Sequence, residues 1–321
     1  METLNINSKS AQQILLGLLT LMQANSEGGQ LHLGHARTSG GEGSSRSVLG
    51  LRVLGVNEHF LPAVLKAMGI RSITFDNLSD PRPVLSLNRI FEDNSAMALT
   101  EIISSAEALL MLKLFFKNCR TIAFDDWTGN PLYTKVWRLL LGEVISSLGK
   151  QQLDFIFYLG NPKDHSLMEL KEVIGLMRDY SPYGRVTLAL EETEAHQLWQ
   201  ILEKGTGSDM HQAPRGKTLP IKLRELLGIS ALLIYSGTSA AILSQDTQLM
   251  LSRKTAPIAS EHALDARDHF IAGYASALLK EMDPASSLAL GLTVFGSNGT
   301  DFKAAEEIRL PGYLRSWISA L

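Results

Sequence analysis

The chain has 321 residues, 45% of them hydrophobic and 20% charged, with a formal net charge of −3. That is enough apolar material for one large α/β domain or two modest ones. The charge balance supplies no electrostatic footprint for nucleic acid or an anionic membrane surface, and Cys119, the single cysteine, excludes an intramolecular disulfide and a cysteine-based metal cluster.

The longest apolar stretches, Ile14–Met22 and Ala108–Leu112 continued by Leu114–Phe116, fall short of the roughly 18 residues a membrane-spanning helix needs. The opening Met-Glu-Thr lacks a basic region before an apolar core, so no signal peptide is expected. A cytoplasmic location follows by default.

Taken in chain order, Ala11–Met22 reads as a helix capped by Ser8 or Ser10, apolar all round and ended by the polar Gln23–Gly29. Leu31–Arg37 alternates and reads as a strand. The Gly/Ser turn Thr38–Ser45 leads into an expected helix over Arg46–Leu54. A second short helix, Phe60–Met68, is stopped by Gly69. Ile70–Phe75 and Val84–Phe91 read as strands flanking the Pro81/Pro83 turn, and Ala106–Phe116 as a helix.

Thr121–Phe124, Asp154–Leu159 and Arg185–Leu190 are short apolar runs between helical segments, the rhythm of parallel strands with crossover helices. Glu192–Lys204 and Leu219–Leu227 read as helices joined by the loop Gly205–Lys217. Ala231–Tyr235, Ala240–Ser244 and Thr247–Ser252 read as strands, the first two around Ser236-Gly237-Thr238-Ser239. After an extended Ala256–Ser260 come helices over Phe270–Lys280 and Ala285–Phe295, then an amphipathic tail, Glu306–Leu321, interrupted by Pro311-Gly312.

Four places carry possible chemistry. Gly40-Gly41-Glu42-Gly43 is either a backbone surface open to a ligand or a tight turn before a helix; without a following Gly-Lys-Ser/Thr it is not a P-loop. Asp265-Ala266-Arg267-Asp268, at the mouth of the Phe270 helix, is either an anion site with a base or a helix cap. Asp125-Asp126, at a strand end, is either a metal or hydroxyl ligand or a solvated turn. Glu191, Glu192 and Glu194 suit the dipole of the helix they open. The eight histidines show no zinc-binding spacing.

In their order, these segments resemble the ribokinase-like (PfkB) carbohydrate kinases, nearest the branch of 1-phosphofructokinase and tagatose-6-phosphate kinase, over about residues 31–300. The likeness rests on Ser39–Val48 with Val53-Leu54-Gly55-Val56, on Ala67-Met68-Gly69-Ile70 with Pro81-Arg82, and on Glu191–Glu194 as the Asn-x-x-Glu element. It continues through Tyr235-Ser236-Gly237-Thr238 and through Asp265–Gly273, which is similar to a Gly-Ala-Gly-Asp helix mouth followed by Phe, a small residue and Gly.

The resemblance implies an α/β fold, a ribokinase-like three-layer sandwich with a central, mostly parallel sheet and a small β lid. Residues 1–30 would be an atypical N-terminal helical segment and 31–321 the ribokinase-like domain, with lid strands at about 31–37 and 84–91. It implies ATP and Mg²⁺ as cofactors and phosphoryl transfer to a sugar or sugar phosphate. Asp268 would be the catalytic base and Asp265, Ala266 and Arg267 would occupy the anion hole. Glu191, Glu194, Ser236, Gly237 and Thr238 would bind nucleotide, Glu194 reaching the metal through water. Gly40, Gly41, Ser45 and Arg82 would meet the substrate, Arg82 at its phosphate. A homodimer through the lid strands is implied too.

The chain departs from the family at points that bear on activity. Both glycines of the anion hole are replaced, by Asp265 and Arg267, and loss of even one oxyanion-hole donor typically costs about 10²–10³ in rate. Residues 1–75 contain no Asp, so the family's early substrate-binding Asp has no counterpart. Glu42 and Ser45 stand for the family's Lys and Asn, and Glu191 for the Asn of Asn-x-x-Glu. Two readings follow: a divergent kinase homologue with weakened or lost transfer, or an inactive pseudokinase acting in regulation or partner binding. A third gives the N-terminal helix a docking role on a partner or a second copy.

Overall fold

The computed structural model describes residues 4–27, 47–49, 72–73, 106, 109–110, 113, 116, 119–124, 127, 131–149, 152–204, 218–252, 270–271, 273–278, 281–297 and 310–321. The strands are β1 (Leu4–Asn5), β2 (Ser47–Leu49), β3 (Ser72–Ile73), β4 (Cys119–Phe124), β5 (Leu153–Phe157), β6 (Gly184–Glu191), β7 (Ala231–Tyr235), β8 (Ser239–Ser244) and β9 (Gln248–Ser252). The helices are α1 (Ser8–Glu27), α2 (Pro131–Leu139), α3 (Leu167–Asp179), α4 (Glu192–Lys204), α5 (Thr218–Leu227), α6 (helical residues 270–271 and 273–278), α7 (Pro284–Ser297) and α8 (Leu310–Ala320).

The nine strands form one sheet in the order β1-β9-β8-β7-β6-β5-β4-β2-β3. β4 to β7 pair in parallel, β2 pairs in parallel with both β3 and β4, and β1 pairs in parallel with β9. β8 is antiparallel to both of its neighbours. The central strands are apolar on both faces because helices cover both. Phe155 and Phe157 of β5, with Val186, Leu188 and Leu190 of β6, join a core with α3, α4 and α5. The alternate residues Ile156, Ala189, Leu233 and Tyr235 join a second core with α1, α6, α7 and α8. The period of two along each strand thus divides the side chains between two helical layers. The expected three-layer α/β sandwich with a mostly parallel sheet is the architecture found.

The first core is an aromatic block. Phe124 and Phe157, register partners on β4 and β5, stack with ring centroids 4.3 Å apart. Trp137 and Tyr180 meet Phe124 at 5.3 Å. The buried Tyr180 hydroxyl donates to the Trp137 carbonyl at 2.6 Å, and burial raises its pKa well above the ordinary phenol value. That bond engages a carbonyl close to the end of α2, just before the backbone loosens into a π-helical turn at Leu140–Val144.

In the second core, α1 buries Ala11, Leu15, Leu18 and Met22 and packs on α7 and α8 of its own chain. α6 and α7 cross closely at two glycines: a Cβ on Gly273 would lie 2.7 Å from the Leu290 carbonyl oxygen, and one on Gly291 would lie 2.8 Å from the Phe270 ring. α6 ends in a Schellman motif, with Met282 N–H donating to Ala277 O (3.1 Å) and Glu281 N–H to Leu278 O (2.9 Å). Glu281 takes the left-handed position at φ +54°.

At the N-terminal edge of the sheet the buried Asp154 carboxylate lies between two guanidinium groups, Arg185 at 2.8 Å and Arg120 at 3.4 Å. Arg120 also reaches Glu281 at 3.7 Å. Tyr274 of α6 lies buried near this group; burial pushes its hydroxyl up to about 12, Asp154 adding to the rise while Arg185 and the Thr187 hydroxyl oppose it.

Two local expectations are corrected. Ser47–Leu49, expected within a helix over Arg46–Leu54, is strand β2, paired with both β3 and β4; two ladders in the sheet outweigh the apolar spacing that suggested a helix. Pro311-Gly312 does not interrupt the C-terminal helix, which starts at Leu310. A proline in the first turn gives up an N–H that has no intrahelical partner there. Leu31–Arg37, Phe60–Met68 and Val84–Phe91, and with them the lid strands, lie outside the described residues.

Candidate functional site

In an open parallel sheet, ligands meet the C-terminal ends of the strands. Here register gathers several of the sequence-selected residues at that edge. Glu191, the last residue of β6, pairs with Tyr235, the last of β7, and Tyr235 pairs with Ala240 of β8. Ser236, Gly237 and Thr238 therefore turn over the edge beside Glu191.

The turn is closed by its own polar groups. Ser236 N–H donates to the Ser239 carbonyl at 2.8 Å. The Ser236 and Ser239 hydroxyls are 3.0 Å apart and hydrogen-bonded, and Thr238 N–H reaches Ser236 Oγ at 3.5 Å. A Cβ on Gly237 would have no atom within 4 Å. The turn thus offers hydroxyl and backbone groups with open space above its glycine.

Glu194 stands in the first turn of α4 and is 5% exposed. Its Oε2 accepts the Glu191 N–H at 2.8 Å. With Glu191 at the N-cap and Glu194 three residues on, this is the carboxylate half of a capping box. One of the two oxygens of this buried carboxylate is thus engaged by the N-cap amide of its own helix. Among the described residues, no group of three or more His, Cys, Asp and Glu side chains is gathered as a metal site would require.

Phe270 is the first described residue of α6, and its ring stacks on Tyr235 with centroids 4.5 Å apart and planes 8° apart. Phe270 is thereby held at the same sheet edge as Glu191 and the 236–239 turn. Asp265, Ala266, Arg267 and Asp268, the residues just before it in sequence, lie outside the described residues, as do Gly40, Gly41, Glu42, Ser45, Arg82 and Asp125-Asp126. The structure therefore brings together Glu191, Glu194, Ser236, Gly237 and Thr238.

The same edge carries residues that sequence reading did not select. His165 follows β5 and the short 3₁₀ turn Pro162–Asp164. It is buried, and its ring lies 4.5 Å from that of Trp127. Trp127 donates its backbone N–H to the Tyr158 carbonyl at 3.4 Å and its Nε1–H to Thr134 Oγ1 at 2.7 Å. A lone histidine and a lone tryptophan 38 positions apart form no motif, so only the fold could pair them. Ser166, next in the chain, caps α3 with Glu169: Ser166 N–H donates to Glu169 Oε2 at 2.8 Å. The Ser166 hydroxyl and N–H hold the Glu169 carboxyl below its ordinary pKa.

The sequence matches no protein-family model and no curated protein. Among solved structures it is similar to the nucleoside kinase of Methanocaldococcus jannaschii, an archaeal member of the ribokinase family, at 15% identity and a TM-score of 0.41, over 62% of this chain and 57% of that one. It is similar to the adenosine kinase of Sinorhizobium meliloti at 11% identity and a TM-score of 0.46, over 64% of this chain and 56% of that one. It is also similar to the 2-dehydro-3-deoxygluconokinase of Thermotoga maritima at 13% identity and a TM-score of 0.47, over 65% of this chain and 62% of that one. In each case the match spans less than two thirds of the other structure's length. No helix of the described residues is long and apolar enough to cross a membrane.

Proposed function

We propose that the chain is a divergent ribokinase-like carbohydrate kinase homologue whose ancestral reaction, ATP-dependent phosphoryl transfer to a sugar or sugar-phosphate hydroxyl, is weakened or lost. The observation that carries this reading is the stacking of Phe270 on Tyr235, which sets the start of α6 beside Glu191 and the Ser236–Thr238 turn. Asp268 precedes Phe270 by two residues and is the proposed base, taking the acceptor hydroxyl's proton as that oxygen attacks the γ-phosphoryl group. Glu191, Ser236, Gly237 and Thr238 are the proposed nucleotide contacts. Gly40, Gly41, Ser45 and Arg82 are the proposed acceptor contacts. ATP is the proposed donor, carried with Mg²⁺; no protein ligand is assigned to that ion. A homodimer through residues 31–37 and 84–91 belongs to the same reading.

The alternative is a pseudokinase that keeps the architecture for regulation or partner binding. Two substitutions favour it: Asp265 and Arg267 stand where the family has anion-hole glycines. A side chain at each narrows the hole, and Asp265 sets negative charge against a triphosphate.

Thermal unfolding with and without millimolar Mg·ATP tests the reading, because a ligand that binds only the folded state must raise Tm. A rise that depends on nucleotide is expected, with turnover, where present, abolished in Asp268→Asn. No rise would sink the kinase homologue as a nucleotide binder and leave the pseudokinase with an empty cleft.

A further inference from the structure

The carboxylate to which the family resemblance gives a metal contact has one oxygen bonded to the backbone of its own helix N-cap. Glu194 is buried, and its Oε2 takes the Glu191 N–H at 2.8 Å. One crossover earlier the chain builds the same contact at the same helical position: Glu169 Oε2 takes the Ser166 N–H at 2.8 Å. In both places a glutamate at the third helical position closes back on the N-cap amide, directly after β6 at Glu191 and beyond the Pro162–Asp164 turn at Ser166. Ser166 completes its box by returning its hydroxyl to the Glu169 N–H at 3.3 Å. At the second corner the N-cap is itself a glutamate, Glu191, and its N–H makes the carboxylate half of the box.

We infer that Glu194 is a positioning residue for the β6–α4 corner, and not the metal contact that the Asn-x-x-Glu resemblance implies. Its acceptor oxygen fixes the Glu191 backbone. Glu191 is the register partner of Tyr235, on which Phe270 stacks. Holding this corner therefore holds the strand end paired with Tyr235, the residue that leads into the Ser236–Thr238 turn. The inference rests on the proposed nucleotide site only for the ligand used in one arm of its test.

The corner role requires a hydrogen-bond acceptor; a metal role requires the charge. In the full-length chain, amide exchange at Glu191 should be protected. Glu194→Ala should speed it about tenfold or more, and Glu194→Gln, which keeps an acceptor, should restore most of that protection. The apparent Mg²⁺ midpoint of the ATP-dependent Tm rise should stay within about twofold of wild type in Glu194→Gln. Unprotected exchange at Glu191 in the wild-type chain would overturn the inference, and needs no variant that folds. So would Glu191 exchange unchanged in Glu194→Ala, or a Mg²⁺ midpoint raised tenfold or more in Glu194→Gln. Absence of any ATP-dependent rise would defeat the proposed nucleotide site, while the exchange data still decide the role of Glu194.

Discussion

The ring of Phe270 lies flat on the ring of Tyr235, 4.5 Å between centroids and 8° between planes. Both side chains are buried. Tyr235 ends β7 and Phe270 begins the described part of α6, so one aromatic contact couples the edge of the sheet to the mouth of a helix. Gly291 of α7 leaves room for the same ring, since a Cβ there would lie 2.8 Å from it.

Removing that ring should be costly. Phe270→Ala is expected to destabilise the chain by about 3–5 kcal/mol, the range for deleting a buried aromatic. Phe270→Leu keeps apolar bulk and should lose about 0.5–1.5 kcal/mol of ring pairing plus some packing. Urea unfolding of the two variants checks this; a Phe270→Ala loss below about 1 kcal/mol would mean the stack does not hold α6.

Two glycines should respond in opposite ways to the same methyl group. Gly273→Ala puts a carbon 2.7 Å from a backbone oxygen at the α6–α7 crossing, where neither helix can give cheaply, so a loss of about 1–3 kcal/mol is expected. Gly237→Ala meets nothing within 4 Å and should change stability by less than about 0.5 kcal/mol. The same pair separates structure from ligand binding: a Gly237→Ala chain of unchanged stability that loses the Mg·ATP-dependent Tm rise would locate nucleotide at the turn.

Asp283 should make part of the stability depend on acid pH. Its Oδ1 accepts the Ala285 and Ser286 N–H groups at 3.0 Å each, and Oδ2 accepts the Ser286 hydroxyl at 2.6 Å, capping α7. Partial burial acts to raise its pKa, but those bonds outweigh it and hold the carboxyl below the ordinary value. A folded pKa below the unfolded one means the contribution is complete above the unfolded value and is lost as pH falls through the folded value. Asp283→Ala should cost about 1 kcal/mol at neutral pH. The gap between the variant and the wild type should close in acid, as seen by urea unfolding across pH 2–7 on the carboxylate range; a constant gap would refute the charged cap.

The Asp154 cluster offers a test of the opposite edge. The Asp154 side chain is 7% exposed and meets Arg185 and Arg120, which are 41% and 32% exposed. Asp154→Ala leaves two partly buried guanidinium groups without their shared carboxylate. A loss of about 2–3 kcal/mol is expected, below the 3–5 of a fully buried pair because water reaches both arginines. Arg120→Ala should cost less, about 1 kcal/mol, since Arg185 still neutralises Asp154. Equal losses in the two variants would show that Arg120 carries the cluster.

Much of the architecture was legible in the residues themselves. β4 to β9, α4, α5 and the helix after Phe270 follow from apolar runs of strand length, helical spacing and their Gly and Ser boundaries, because period and capping are local properties of the chain. The grouping of Glu191 with Ser236–Thr238 was implied by the family resemblance. Tertiary structure decided what local pattern cannot encode. Ser47–Leu49 is too short to show a period, so only pairing with β3 and β4 makes it a strand. The apolar surface of α1, for which one reading offered a partner or a second copy, is set by the fold on α7 and α8 of its own chain. Glu194 is the sharpest case: its sequence position suits the dipole of the helix it opens, and the resemblance gives it a metal contact. The direction of its side chain, set by burial at the end of a parallel strand, is what assigns it to the Glu191 amide. For Asp265–Asp268 the sequence supplies the residue types, and the structure places Phe270, two residues beyond, on Tyr235.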